Sequence, residues 1–140
     1  AVATRPYLAA ARDALLAVRP PRRAIATLSW TDISPENVIV DGRCEFVGLI
    51  DFEGTLALQP EAHLGYCAAR YSGTRFHDAC FKASRIAPED SHWPAYYAVI
   101  RGLRILPYLD MAMPAGSRRD RLEDFLPGLQ PACEEVVRWG

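Results

Sequence analysis

Three polar side chains lie within a span of twenty residues, and their spacing is unusual for groups that only need solvation: Asp32, Asn37 and Asp51. Asn37 directly precedes an apolar run at residues 38–40, and Asp51 follows a second apolar run at residues 46–50. The two runs flank an Asp-Gly pair, which predicts a β-hairpin. Because the outer ends of an antiparallel hairpin meet at one edge, we expect Asn37, Asp51 and the loop of Asp32 to converge there.

Oxygen-bearing side chains at one edge are suited to a hard cation such as Mg²⁺, which completes its coordination with water and phosphate. In that arrangement Asn37 and Asp51 hold the metal, and Asp32 orients an attacking hydroxyl or accepts its proton. Each residue also has a structural interpretation: Asp32 as a turn cap, Asn37 as a turn residue, and Asp51 as a strand terminator. The joint spacing of the three residues favours the site.

The elements around this constellation predict a mainly helical α+β fold, with one small β-hairpin among about six helices in a single domain of residues 1–140. An extended segment precedes the Asp32 loop. The first predicted helix spans residues 6–18, and two more follow Pro60, separated by Ser72-Gly73. A fourth helix begins at residue 93, and we expect Pro107 to kink or shorten it. The last two helices span residues 117–126 and 131–139, with a break at Pro127-Gly128.

Charge and hydropathy exclude several classes of protein. The 140 residues contain 16 Lys plus Arg and 17 Asp plus Glu, a net charge of −1, so no basic field favours nucleic acid. The longest stretch without a charged residue is 91–100, far short of the roughly 20 apolar residues of a membrane span. The first twelve residues lack the pattern of a secretory signal, and we expect a cytoplasmic protein.

The four cysteines are widely spaced and form no C-x-x-C pair. The three histidines do not complete a zinc-ligand spacing around them. We expect four reduced thiols that pack as small hydrophobic groups or have no role, with a disulfide as the weaker alternative.

The segment 28–40, LSWTDISPENVIV, resembles the catalytic loop of the aminoglycoside phosphotransferase and choline kinase-like family, usually H-G-D followed by an Asn and an apolar strand. The segment 49–54, LIDFEG, resembles the metal-binding segment of that family. The resemblance covers about residues 29–69. It implies that Asp32 is the catalytic base, Asn37 a Mg²⁺ ligand, and Asp51 the second ligand, which bridges to the phosphates of ATP.

The chain departs from the family pattern at four positions. Trp30 and Thr31 replace the family's His and Gly, and Gln59 and His63 replace two acidic residues. The chain's single lysine, Lys82, follows the catalytic loop, whereas the family's phosphate-binding lysine precedes it. About thirty residues precede Asp32, too few for a nucleotide-binding small lobe. The resemblance therefore implies a C-terminal lobe alone, with the N-terminal lobe absent.

The first hypothesis is an ATP- and Mg²⁺-dependent phosphotransferase that acts on a hydroxyl of a small molecule, this chain being its catalytic lobe and a weak kinase when alone. A homodimer or a separate small lobe would complete the site. The alternative is a non-catalytic binding or regulatory module that keeps the fold. A third, weaker hypothesis is a metal-dependent phosphate hydrolase built on Asp32 and Asp51.

Overall fold

The structure, a computed structural model, describes residues 6–20, 26–32, 34–84, 86–112 and 115–139; for residues 108–112 and 115–124 it describes the backbone alone. These residues form five α-helices and four short β-strands. In chain order the elements are α1 (Pro6–Ala17), β1 (Thr27–Trp30), β2 (Val38–Val40), β3 (Phe46–Leu49), β4 (Thr55–Leu58), α2 (Pro60–Tyr71), α3 (Arg75–Ala83), α4 (Trp93–Ala112) and α5 (Ala115–Val137). Single 3-10 turns occur at Pro35–Asn37 and Pro88–Asp90. The predicted mainly helical α+β class is confirmed.

The predicted hairpin is confirmed: β2 and β3 pair antiparallel, with Val38 opposite Leu49. Asp41 shapes its turn, because its Oδ1 accepts hydrogen bonds from the backbone N–H groups of Arg43 and Glu45 at 2.8 and 2.9 Å. Aspartate favours such turns because its short carboxylate reaches the backbone two residues ahead.

A second antiparallel pair, β1 with β4, is not contained in the sequence prediction. The sequence predicts an extended segment at β1. It does not predict β4, because no turn motif marks the start of this strand after the hairpin. Trp30 lies opposite Thr55 in this pair. The pairing therefore places the end of β1, next to Asp32, against the segment that follows Asp51.

The core lies between α2, α4 and α5, with α1 packed on α5. Gly65 of α2 allows a close approach to α4: a Cβ at this position would lie 2.6 Å from the carbonyl oxygen of Pro94. Buried side chains at helical spacing along α5 complete the core; they are Leu126, Leu129, Ala132, Cys133 and Val136. Among the described residues no helix is both long enough and apolar enough to span a membrane.

One prediction at prolines is wrong. Residues 117–139 do not form two helices, because α5 passes through Pro127 and Pro131 without a break. Pro107 does not end α4, which continues to Ala112, and the predicted kink at this proline stays a prediction. The described residues therefore form five α-helices rather than six. A proline removes one backbone donor from a helix. In α5 the buried apolar face continues on both sides of the two prolines, and its packing against the core outweighs that local cost.

The four cysteines are free thiols. Cys67 and Cys133 are buried, Cys80 is partly buried, and Cys44 is exposed in the hairpin turn. Burial raises the pKa of Cys133 to about 12.

Candidate active site

The first contact of the site joins Asp32 to Asn37. The chain leaves β1 at Trp30, passes through a loop, and forms a 3-10 turn that ends at Asn37. The turn directs the Asn37 side chain back over the loop, where Nδ2 donates long hydrogen bonds to the Asp32 backbone carbonyl at 3.3 Å and to its Oδ2 at 3.4 Å. Asp32 is exposed and Asn37 is partly buried. The structure thus brings these two predicted residues together.

Asp51 lies at the same edge of the hairpin. The backbone N–H of Ile50 donates to the carbonyl oxygen of Asn37 at 3.0 Å, so the pairing extends to the residue before Asp51. The predicted convergence of the outer ends of the hairpin is therefore confirmed. Asp51 has a positive φ of 60°, a left-handed conformation that short polar side chains tolerate better than most. This conformation turns the chain out of β3 and towards β4.

Trp30 and Thr31, two of the departures from the family pattern, fasten the loop to the segment after β3. The Trp30 indole Nε1 donates to the Asp51 carbonyl at 2.8 Å, and its ring lies 6.2 Å from that of Phe52. The Thr31 backbone N–H donates to the Gly54 carbonyl at 3.2 Å, and its hydroxyl donates to the same oxygen. Trp30 and Thr31 thus hold the loop of Asp32 against the segment after β3 by hydrogen bonds.

Gly54 permits this close approach. A Cβ there would lie 3.0 Å from Thr31 Oγ1, 3.5 Å from the Asp32 nitrogen and 3.6 Å from the Asp32 Cβ. Any larger side chain at this position would press on the loop that holds Asp32. The glycine therefore helps to set the position of the carboxylate.

Gln59 and His63 occupy positions where the family has acidic residues. The Tyr97 hydroxyl donates to Gln59 Oε1, a contact that ties the start of α2 to α4. His63 is partly buried beside a cavity of about 360 Å³ that is also lined by Leu28 and Ser29. Burial lowers the pKa of the imidazole, which favours its neutral form. The Gln59 contact therefore fixes the start of α2 against α4.

The oxygen donors at the site fit Mg²⁺ in number and kind. They are the exposed carboxylates of Asp32 and Asp51 and the amide oxygen of Asn37, whose Nδ2 is the atom turned towards Asp32. Mg²⁺ binds proteins through one or two carboxylates and keeps several waters or phosphate oxygens. In the described ranges no cluster of three or more His, Cys, Asp or Glu side chains is placed to hold a metal.

Sequence reasoning missed Arg101, a partly buried residue of α4. Its guanidinium lies over the ring of Tyr66, with 4.9 Å between the Cζ atom and the ring centroid. Burial lowers the pKa of Arg101, while Coulombic interactions with Tyr66 and Asp32 raise it, so Arg101 lies within electrostatic range of the predicted base. Nothing in the local sequence reveals this contact, because Arg101 follows Asp32 by almost seventy residues.

Aromatic residues at the start of α4 pack against one another and against Trp139. Trp93 packs edge-on against Tyr96 and against Trp139, with ring centroids 5.9 Å apart in both pairs. His92 lies 5.3 Å from the Trp139 ring. Trp93 and Tyr96 are partly buried and do not belong to the buried core cluster.

No protein-family model matches this chain, and comparisons with curated proteins and with solved structures find no match either. The roles assigned to Asp32, Asn37 and Asp51 through the family resemblance therefore stay predictions.

Proposed function

We propose that this chain is the catalytic lobe of an ATP- and Mg²⁺-dependent phosphotransferase that phosphorylates a hydroxyl of a small molecule. The observation that carries the proposal is the Asn37 side chain, which donates to Asp32 while its backbone carbonyl accepts from Ile50, the residue before Asp51. One asparagine thereby links the predicted base to the predicted metal ligand. The resemblance of residues 28–40 and 49–54 to the phosphotransferase family supports the same conclusion.

Asp32 is the general base of the proposed reaction. Its exposed carboxylate orients the acceptor hydroxyl and takes up the proton as the oxygen forms its bond to the γ-phosphorus and ADP leaves. Asn37 Nδ2 restrains this carboxylate, and the hydrogen bonds of Thr31 to Gly54 restrain the loop behind it. The side chain is held before the substrate arrives, which lowers the entropic part of the barrier.

Asn37 Oδ1 and the Asp51 carboxylate would hold Mg²⁺. When bound, the ion neutralises charge on the β- and γ-phosphates and orients the γ-phosphoryl group. The hydrogen bond from Trp30 to the Asp51 carbonyl restrains the backbone of this ligand. Asp51 and Asp32 thus serve different parts of the reaction, although both are exposed carboxylates at one hairpin edge.

The metal site is tested with Mn²⁺, which replaces Mg²⁺ and broadens the NMR signals of nearby groups. In the 140-residue chain we expect broadening at Asn37 and Asp51 that ATP strengthens. The change Asp51→Asn should abolish it, whereas Asp13→Asn, at an exposed surface pair with Arg12, should leave it unchanged. Broadening that persists in Asp51→Asn, or that never occurs near the hairpin, contradicts the proposal and favours a non-catalytic module.

The role of Asp32 is tested by phosphoryl transfer. Asp32→Asn should lower kcat by about 10² or more and leave the affinity for the metal-nucleotide complex nearly unchanged, because the substitution removes proton uptake but not a metal ligand. We expect turnover of this chain alone to be slow compared with the roughly 1–100 s⁻¹ of ordinary kinases, since its one lysine follows the catalytic loop. Release of phosphate from ATP without any acceptor would instead indicate a hydrolase.

A further inference from the structure

The cavity beside His63 is a feature separate from the hairpin edge that carries Asp32, Asn37 and Asp51. Its volume is about 360 Å³, and ligand pockets in proteins measure about 300–1,000 Å³. Residues of β1, of α2 and of the C-terminal end of α3 form its walls, and none of the three predicted site residues is among them. With a volume near the lower end of that range, the cavity is suited to a compound with a single ring.

Aliphatic side chains supply much of the lining. They are contributed by Leu28 of β1, by Pro60 and Leu64 of α2, and by Ala83 of α3. Leu28 is 83% exposed and Leu64 is 4% exposed, so the cavity extends from the protein surface to buried side chains. An apolar ligand would remove the exposed surface of Leu28 from water, which favours binding.

Three hydroxyl groups of the wall already donate their protons to backbone carbonyls. Thr27 Oγ1 donates to the Leu58 carbonyl oxygen and Ser29 Oγ donates to the Thr27 carbonyl oxygen, both at 3.2 Å. Ser84 Oγ donates to the Phe81 carbonyl oxygen at 2.7 Å. A hydroxyl group has one proton and two lone pairs, so each of these oxygens can still accept a hydrogen bond. These hydroxyl groups therefore offer a ligand acceptors rather than free donors.

The imidazole of His63 is a polar group of the wall with unused hydrogen-bonding capacity. Its Nδ1 is buried and has no hydrogen-bond partner among the described residues. Such groups are uncommon, because burial removes the hydrogen bonds to water without replacing them. Burial lowers the pKa of this imidazole and favours its neutral form, which has one donor and one acceptor nitrogen. A ligand hydroxyl suits either tautomer, since it can both donate and accept.

We propose that this cavity binds a small neutral molecule with an apolar ring and one hydroxyl group, and that the hydroxyl forms a hydrogen bond with the His63 imidazole. The occupant is uncharged because none of the nine described residues that line the cavity carries a carboxylate, an ammonium or a guanidinium group. An ion in the cavity would lose hydration without gaining a counter-charge. The proposal does not depend on phosphoryl transfer at Asp32.

Four compounds with the same methyl-substituted ring test the chemistry of the occupant. They are 4-methylphenol, toluene, 4-methylbenzoate (anionic) and 4-methylbenzylammonium (cationic), each titrated into the 140-residue chain and followed by NMR. We expect 4-methylphenol to bind with a Kd of about 1 mM or lower, as its size allows, and to shift the Leu64 methyl signals. Toluene, which lacks the hydroxyl, should bind about fivefold or more weakly, and either ion about tenfold or more weakly.

Cys80 reports whether the ligand occupies this cavity. Its partly buried thiol belongs to the wall, whereas Cys44 is exposed in the hairpin turn. Near saturation, 4-methylphenol should slow the alkylation of Cys80 by iodoacetamide several-fold and leave that of Cys44 unchanged. Mass spectrometry of the two cysteine-containing peptides measures both rates in one sample.

Substitutions on α3 and α2 then assign the effect. Ala83→Leu places a larger side chain at an exposed position of the wall and should weaken 4-methylphenol binding about tenfold or more. Ala79→Leu is the matched control: Ala79 is exposed one turn earlier on α3 and does not line the cavity, so we expect less than about a twofold change. His63→Phe keeps a ring but removes both nitrogens, and the preference for 4-methylphenol over toluene should fall to about twofold or less. If His63→Phe does not fold, the Ala83→Leu and Ala79→Leu pair still decides whether this cavity is the site.

The inference is wrong if 4-methylphenol does not bind at concentrations up to about 10 mM, or if toluene or either ion binds as tightly. It is also wrong if bound 4-methylphenol leaves Cys80 unprotected, or if Ala79→Leu weakens binding as much as Ala83→Leu. A preference for 4-methylphenol that persists in His63→Phe would refute the hydrogen bond to the imidazole. None of these outcomes bears on the Mn²⁺ site at Asp51, so the two proposals fail separately.

Discussion

Replacement of Gly65 by alanine tests how the two helices that carry Tyr66 and Arg101 are held together. A methyl group at Gly65 would lie 2.5 Å from the Tyr97 Cβ, 2.6 Å from the Pro94 carbonyl oxygen and 2.9 Å from the Ala98 nitrogen. To restore contacts of 3.4 Å, α2 and α4 must move apart by up to about 0.9 Å.

Overpacking costs about 1–3 kcal/mol, and the higher helix propensity of alanine offsets about 1 kcal/mol of it. Because the opposing atoms belong to the backbone or to a Cβ, they cannot rotate away, and the cost lies near the upper end of that range. We therefore expect Gly65→Ala to lower the free energy of unfolding by about 2 kcal/mol.

Urea unfolding followed by circular dichroism measures this change, and two other glycines provide controls. The three atoms nearest to a Cβ at Gly102 all belong to the side chain of Leu129, which can change rotamer where the backbone atoms near Gly65 cannot, so Gly102→Ala should cost less. No atom lies within 4 Å of a Cβ at Gly48, and Gly48→Ala should leave stability nearly unchanged. If Gly65→Ala is as stable as the wild type, or more stable by the propensity gain, the close approach of the two helices is refuted.

Three further outcomes are expected. Trp30→Phe keeps an aromatic ring but loses the hydrogen bond to the Asp51 carbonyl, so Mn²⁺ affinity in the NMR titration should fall several-fold; unchanged affinity would show that this bond does not position the ligand. Burial lowers the pKa of His63 below its ordinary value of 6.5, so the folded state binds fewer protons than the unfolded state. The contribution of neutral His63 to the free energy of unfolding is complete above about pH 6.5 and is lost as the pH falls below that value. Urea unfolding from pH 7.5 to 5 should show this loss of free energy in the wild type but not in His63→Gln. Ellman's reagent at pH 8 should modify exposed Cys44 at least about 100-fold faster than Cys133, whose buried thiol has a pKa of about 12; equal rates in the folded chain would contradict the burial of Cys133.

Several features of the fold could be predicted because their signals lie in neighbouring residues. The Asp-Gly turn between two β-branched runs encodes the hairpin, and the Asp41 carboxylate needs only its own backbone to close it. The break between α2 and α3 follows from Gly73, whose φ of 78° most side chains disfavour. The convergence of Asn37 and Asp51 follows from the hairpin, since antiparallel pairing dictates which residues meet.

Other features depend on contacts between distant segments, which local patterns do not encode. The continuous helix α5 could not be predicted from Pro127 and Pro131, because its stability comes from the buried face that it packs on the rest of the core. The hydrogen bond from Trp30 to Asp51 forms where the end of β1 meets the segment between β3 and β4. Arg101 comes within range of Asp32 only because α4 packs on α2, so the predicted base acquires its cationic neighbour through helix packing.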